Sequence, residues 1–160
     1  MYYGRFEHKV DAKGRIQLPI ALREAEGDKV YNRFVLVKGI GGCLVLFTRE
    51  IFESFFEAFE PEQLGDNGTV EFMRQFFSRM HDIVLDNQGR ILLPRLLREE
   101  AGIGNTALLL GAGKWVEIWD KEQYEKHSSE SEISYDEIAR GFFATLGRRK
   151  DSNRQDVPTE

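Results

Sequence analysis

Apolar and polar positions along this chain run through one series of periods and then repeat it. Residues 6–10 read as a short strand. Asp11-Ala12-Lys13-Gly14 then predicts a turn, because an Asp side chain bonds its own following backbone and Gly tolerates positive φ. Arg15-Ile16-Gln17-Leu18 alternates polar with apolar, the period of a half-buried strand. Pro19 suits the first position of a helix, residues 21–25 continue it, and Gly27 stands where a helix stop belongs. Residues 34–37 and 44–47 are apolar runs around Gly39-Ile40-Gly41-Gly42, which predicts a buried hairpin. A helical period follows, with Ile51, Phe52, Phe55, Phe56 and Phe59 on one face. Phe72, Met73, Phe76, Phe77 and Met80 repeat that spacing after a turn expected at Asp66-Asn67-Gly68. The Phe stripe reads as core or subunit contact.

The second half restates the first. Asp11-Ala-Lys-Gly-Arg-Ile-Gln-Leu-Pro-Ile-Ala-Leu-Arg-Glu24 recurs as Asp86-Asn-Gln-Gly-Arg-Ile-Leu-Leu-Pro-Arg-Leu-Leu-Arg-Glu99, with nine of fourteen positions identical at an offset of 75. Gly27 and Gly102 extend the match, and Gly39 matches Gly111 at an offset of 72. Self-similarity of this density marks a repeat architecture. Two tandem copies are expected, at about 1–76 and 77–147, the second with strands over 107–110 and 116–119. Asp120-Lys-Glu-Gln123 and Ser134-Tyr-Asp-Glu137 resemble capping boxes, the latter ahead of Ile138, Phe142 and Leu146, with residues 127–132 as a polar link. Residues 148–160 lack apolar periodicity and are expected to form a disordered polar tail.

Composition narrows the class. The chain has 160 residues, 41% apolar and 31% charged, which suits a folded chain with a real core. A single Cys, Cys43, permits no internal disulfide and fits a reducing compartment. The N-terminus has no apolar segment of a signal peptide, and no stretch approaches the ~18 apolar residues a membrane span needs, so no membrane partner is expected. Net charge is −5, but it is segregated. Residues 1–24 hold five basic and three acidic side chains, whereas residues 50–72 hold seven acidic and no basic ones. Residues 117–137 hold eight acidic against two basic, and Arg140, Arg148, Arg149 and Lys150 form a basic cluster. This is the balance of a bipolar protein, with one face for a polyanion and another for solvent or partners.

Motifs for catalysis are weak. Gly39-Ile-Gly41-Gly42 lacks the third glycine of a dinucleotide fingerprint, and Gly113-Lys114-Trp115 is not a P-loop. Cys43 lies in an apolar run. His8, His81 and His127 lack metal-ligand spacing, so no metal, cofactor, small-molecule substrate or catalytic residue is expected, and the chain does not read as an enzyme.

The duplicated Asp-x-x-Gly-Arg element carries the chemistry. Its Asp tightens the turn and can pair with the Arg four residues on, and its Gly allows the reversal. The Arg emerges beside the turn with a planar fork that suits phosphate oxygens or guanine edges. With Gly4, His8-Lys9, Leu18-Pro19, Leu93-Pro94 and Glu117-Ile-Trp-Asp120, the two motifs make the chain resemble the MraZ family, up to about Gly147. The resemblance implies an α+β, β-rich fold of two tandem AbrB-like swapped-hairpin half-repeats of the double-split β-barrel type, with flanking helices. It implies a transcriptional regulator, cytoplasmic and nucleoid-associated, that binds short direct repeats in double-stranded DNA of its own promoter. It implies repression of a division and cell-wall gene cluster, and a homo-oligomeric ring. Carried over, Arg15 and Arg90 are the leading DNA contacts and Asp11 and Asp86 orient them. Lys13, Arg5 and Lys9 are phosphate contacts, while Arg23, Arg98 and Arg95 either touch phosphate or stay in internal ion pairs. Gln88 stands where the first motif has Lys13, so the second copy is expected to hold DNA less strongly. The alternative is an oligomeric protein-binding scaffold or antitoxin-like partner binder, for which the acidic, Phe-rich helices are the motivating feature.

Overall fold

The computed structural model of the protein describes residues 1–24, 30–57, 67–130 and 134–152. They fall into two compact units that divide between residues 126 and 127.

The first unit is β-rich α+β. Its strands are β1 (Arg5–Lys9), β2 (Arg15–Gln17), β3 (Arg33–Lys38), β4 (Leu44–Phe47), β5 (His81–Val84), β6 (Arg90–Leu92), β7 (Thr106–Gly111) and β8 (Val116–Asp120). Six of them make one antiparallel sheet in the order β1-β7-β8-β4-β3-β5, and β2 and β6 form a separate antiparallel ribbon. The order shows how the copies interlock. β1, from the first copy, pairs with β7 of the second, whereas β5, from the second, pairs with β3 of the first. The two hairpins meet at the centre through β4 and β8, with Val45 opposite Glu117. Each copy thus lends its first strand to the other's hairpin, the swapped arrangement that the family resemblance implied.

Both faces of the sheet are covered, which is why its inner strands are continuous apolar runs instead of alternating ones. Phe34, Leu36, Leu44, Leu46 and Leu109 point into a core with Ile16, Leu18 and Leu22 of the first copy and Ile91, Leu93 and Leu97 of the second. Val35, Val37, Val45, Leu108 and Trp119 point the other way and meet Phe52, Phe56 and Phe76. Those three rings come from α1 (Arg49–Glu57) and α2 (Asn67–Ser78). Phe52 is buried and stacks on Phe76 at 6.3 Å between centroids, so the Phe stripe is core along that edge. α1 therefore packs on the face of the sheet opposite the β2–β6 ribbon, while its Glu50 reaches Tyr31, whose hydroxyl donates to Oε2 at 2.7 Å.

Several local expectations change. Pro94 caps α3 (Arg95–Glu100) from outside its first turn, and Gly102 follows with φ +60, as a helix stop should. In the first copy Pro19 precedes only a single 3-10 turn, Ile20–Leu22. The Arg23 carbonyl there accepts the Tyr31 N–H at 2.8 Å and Glu24 bridges to Val30, so the backbone groups that would extend a helix are taken by a β pairing. Ala25 and Gly27 lie outside the described residues. Asn67 and Gly68 open α2 and are not a turn; Asp66 and Phe59 lie outside the described residues.

Helix α4 (Lys121–Ser129) is capped by Asp120, whose Oδ1 accepts the Glu122 and Gln123 N–H groups at 3.1 and 3.2 Å. In the second unit Ser134 and Glu137 form a complete capping box on α5 (Tyr135–Ser152): the Glu137 N–H donates to Ser134 Oγ and the Ser134 N–H to Glu137 Oε2. That helix continues to Ser152, through the Arg148-Arg149-Lys150 patch assigned to the tail by its polarity.

Candidate nucleic-acid interface

The β2–β6 ribbon is built around a local two-fold relation between the copies. Ile16 lies opposite Ile91, with Arg15 opposite Leu92 and Gln17 opposite Arg90. Ile16 and Ile91 are buried against the sheet, so strand alternation sends Arg15, Gln17, Arg90 and Leu92 to the other face. Arg15 and Arg90 are thereby diagonal neighbours, roughly 7–8 Å apart. The two motifs, 75 residues apart in sequence, share one surface.

Each turn is the same construction. Asp11 Oδ1 accepts the N–H groups of Lys13 and Arg15, both at 2.9 Å, while Oδ2 accepts Arg15 Nε at 2.7 Å. Asp86 does likewise with Gln88, Arg90 and Arg90 Nε, at 2.9, 2.9 and 2.8 Å. These bonds, led by the Arg15 backbone N–H, hold the Asp11 carboxyl down at about 2, and Asp86 is lowered for the same reason. Both Asp side chains are therefore ionised near neutrality and fix the adjacent guanidinium by a charge-assisted bond. An arginine so aligned loses less freedom when it meets a base edge or a phosphate.

The copies also complete each other's turns. Leu18 N–H donates to the Gly89 carbonyl and Leu93 N–H to the Gly14 carbonyl, each at 3.0 Å. Arg98 of α3 lies over the first turn, its Nη1 2.7 Å from where a Cβ on Gly14 would stand. Arg23 lies over the second, its Nη1 3.0 Å from the matching point on Gly89. Both arginines thus pack against a turn of the opposite copy. Their recurrence at the repeat offset was the available signal. Gln17 was not anticipated, and its match in the other copy is Leu92, so repetition offered no clue. Its amide donates to the carbonyls of Gln88 and Gly89 at 3.0 Å each and clamps the second turn alone.

The remaining candidates divide. Lys13 is exposed at the first turn, and Lys9 is exposed at the end of β1 nearest Asp11. Arg5 stands at the opposite end of β1, 3.5 Å from Glu125 and 5.6 Å from the Tyr124 ring centroid, so the structure does not bring it to the turns. Arg95 is exposed and bonded to Glu99 at 2.7 Å. Among the described residues no group of His, Cys, Asp and Glu is arranged to hold a metal ion, and no helix is long and apolar enough to cross a membrane.

Comparison with known proteins points to one family. The family model described as "MraZ protein, putative antitoxin-like" matches residues 1–70 and 76–144. A protein named transcriptional regulator MraZ from Acetivibrio thermocellus is 36% identical over 139 residues, covering 87% of this chain and 94% of its own. Namesakes from Alkaliphilus oremlandii and from Thermoanaerobacter sp. are 36% and 37% identical over the same length and shares.

Proposed function

The chain belongs to the MraZ family, and from that premise we propose that it is a sequence-specific DNA-binding transcriptional regulator that reads DNA through its two Asp-x-x-Gly-Arg turns. The observation that carries this reading is the ribbon, which aligns Arg15 and Arg90 on one outward face with each Nε held by its own Asp. The arginines supply base-edge contacts and Lys13 and Lys9 supply phosphate contacts, so that phosphates position the protein and arginines specify the site. The acidic α1 helix, across the sheet, stays clear of the DNA and answers the objection of a net charge of −5. In this reading the protein represses a division and cell-wall gene cluster that includes its own gene. Its targets are short direct repeats. A homo-oligomer, such as a ring, would present several ribbons to successive repeats and multiply modest single affinities.

The test is fluorescence anisotropy with DNA from upstream of the protein's own gene, against scrambled DNA. A bidentate arginine–guanine contact discriminates by about 1–3 kcal/mol. Arg15→Ala with Arg90→Ala should therefore cost more than about tenfold in operator affinity, with the fold retained. Unchanged operator binding by that variant sinks the reading. The exposed Tyr135, Ile138, Phe142 and Phe143 of α5 favour a second reading, a protein-binding scaffold. It becomes the better account if DNA binding is weak and ignores both sequence and the two arginines.

A further inference from the structure

We propose that a groove between the first Asp–Arg turn and α3, lined by Lys13, Arg95 and Arg98, is a seat for one DNA phosphate, and that its lack of a counterpart at the second turn makes the ribbon dock on DNA with a single polarity. This rests on the DNA-binding reading and deepens it. The groove holds about 470 Å³ and is bordered by Ala12, Leu92, Leu93 and Pro94 beside the three cations, with Glu99. Lys13 comes from one copy and both arginines from the other, so it exists only because the copies interlock. Arg98 lies against the turn backbone at Gly14. Among the described residues Arg95 is held by its solvated i,i+4 pair with Glu99, a weak restraint in water and salt, so its guanidinium turns to a phosphate at little cost.

The local two-fold relation supplies the comparison. At the second turn the repeat offset places Gln88 for Lys13, Ile20 for Arg95, Arg23 for Arg98 and Glu24 for Glu99. The acidic residue is matched, while the cations fall from three to one. The side chain across the ribbon differs in the same direction. Gln17 fills the second side by bonding the carbonyls of Gln88 and Gly89, whereas Leu92 stands at the matching place on the first. One turn is therefore open and cationic and the other is closed by an amide. A ribbon with identical turns would bind a DNA repeat equally well in either of two orientations. One with a phosphate seat on one side binds in one orientation, which is what successive direct repeats require of successive protomers.

The experiment measures operator affinity over a salt series for wild type and for Lys13→Gln with Arg95→Ile, which gives the first turn the second's side chains. Duplexes carrying one neutral methylphosphonate, moved along each repeat, are the second probe. The expected result is a slope of log K against log salt shallower by about 1 for each protomer's lost contact. In wild type one flank of each repeat should be sensitive to methylphosphonate, and the variant should lose that sensitivity. Equal sensitivity on both flanks, or a slope unmoved by the substitutions, overturns the proposal. Lys13→Gln alone, on an exposed turn, repeats the measurement should the double variant lose its helical signal. If wild type does not prefer operator DNA at all, the underlying reading has failed; if it does, and Arg15 and Arg90 are needed while the slope does not move, only the phosphate seat has.

Discussion

Gly14 offers a way to separate backbone strain from the contact that joins the two copies. Its φ is +83, and a Cβ there would stand 2.7 Å from Arg98 Nη1, 3.4 Å from Arg98 Cζ and 3.5 Å from the Leu93 carbonyl oxygen. Left-handed backbone costs a residue with a Cβ about 1–2 kcal/mol. The guanidinium is the end of a flexible side chain, so it swings aside and adds little to the loss of stability, but it then leaves the turn. Gly113, at φ +78 with nothing within 4 Å, carries the backbone cost alone. Gly14→Ala and Gly113→Ala should thus lower stability by similar amounts. At about 2–4 °C per kcal/mol for a chain of this size, each should lose about 2–8 °C in Tm, measured by scanning fluorimetry at fixed protomer concentration. Operator affinity should divide them: Gly14→Ala falls several-fold because Arg98 is displaced, and Gly113→Ala binds as wild type does. Gly14→Asn restores tolerance of the left-handed backbone without restoring the space, so it should regain Tm but not affinity. Equal affinities for the two Ala variants would refute the role given to the Arg98 contact.

Other expectations follow from the same geometry. The fold holds the Asp11 carboxyl at about 2 against an ordinary 3.8, so it favours the carboxylate; the stability lost in Asp11→Asn should be full above about pH 4 and fade as pH falls through 2, which thermal unfolding over a pH series would show. Cys43 is buried and its thiol is pushed up to about 12, mainly by desolvation, so it should resist a thiol-reactive disulfide reagent in the native protein and react fully in denaturant. Gln17→Leu removes two hydrogen bonds to the second turn and should cost about 1 kcal/mol in urea titrations. Its effect on operator affinity should be smaller than that of Arg90→Ala.

Most of the strand order was legible because apolar runs, turn residues and the repeat agreed with one another. The family resemblance implied the swap, but only pairing in space shows that β1 joins β7 and β5 joins β3. Misreadings came where local preference met a tertiary claim on the same groups. Residues 21–25 suit a helix by propensity, yet the Arg23 carbonyl accepts the Tyr31 N–H and Glu24 stands in a β bridge opposite Val30. Asn67-Gly68 suits a turn, yet it opens α2. At the interface, the Asp–Arg pairs were readable because their partners lie four residues apart. Arg98 over Gly14 and Gln17 over Gly89 were not, because each contact joins residues more than seventy apart, and for Gln17 no repetition marked it.

Interlocking explains how two short motifs become one surface. Neither turn is complete within its own copy: each takes an N–H and an arginine from the other. The relative placement of Arg15 and Arg90 is therefore set by ribbon register, not by the flexible reach of a linker. Register in turn is set by burial, since Ile16 and Ile91 face each other beneath the ribbon and are almost wholly inaccessible. A slip of one residue in either strand would turn its isoleucine to solvent and its arginine into the core. The cost of that exchange, a lost apolar side chain together with a buried charge, is far larger than a single arginine contact to DNA. The hydrophobic core thus does for the interface what no contact among exposed side chains could: it holds two charges in fixed relation before any DNA is present.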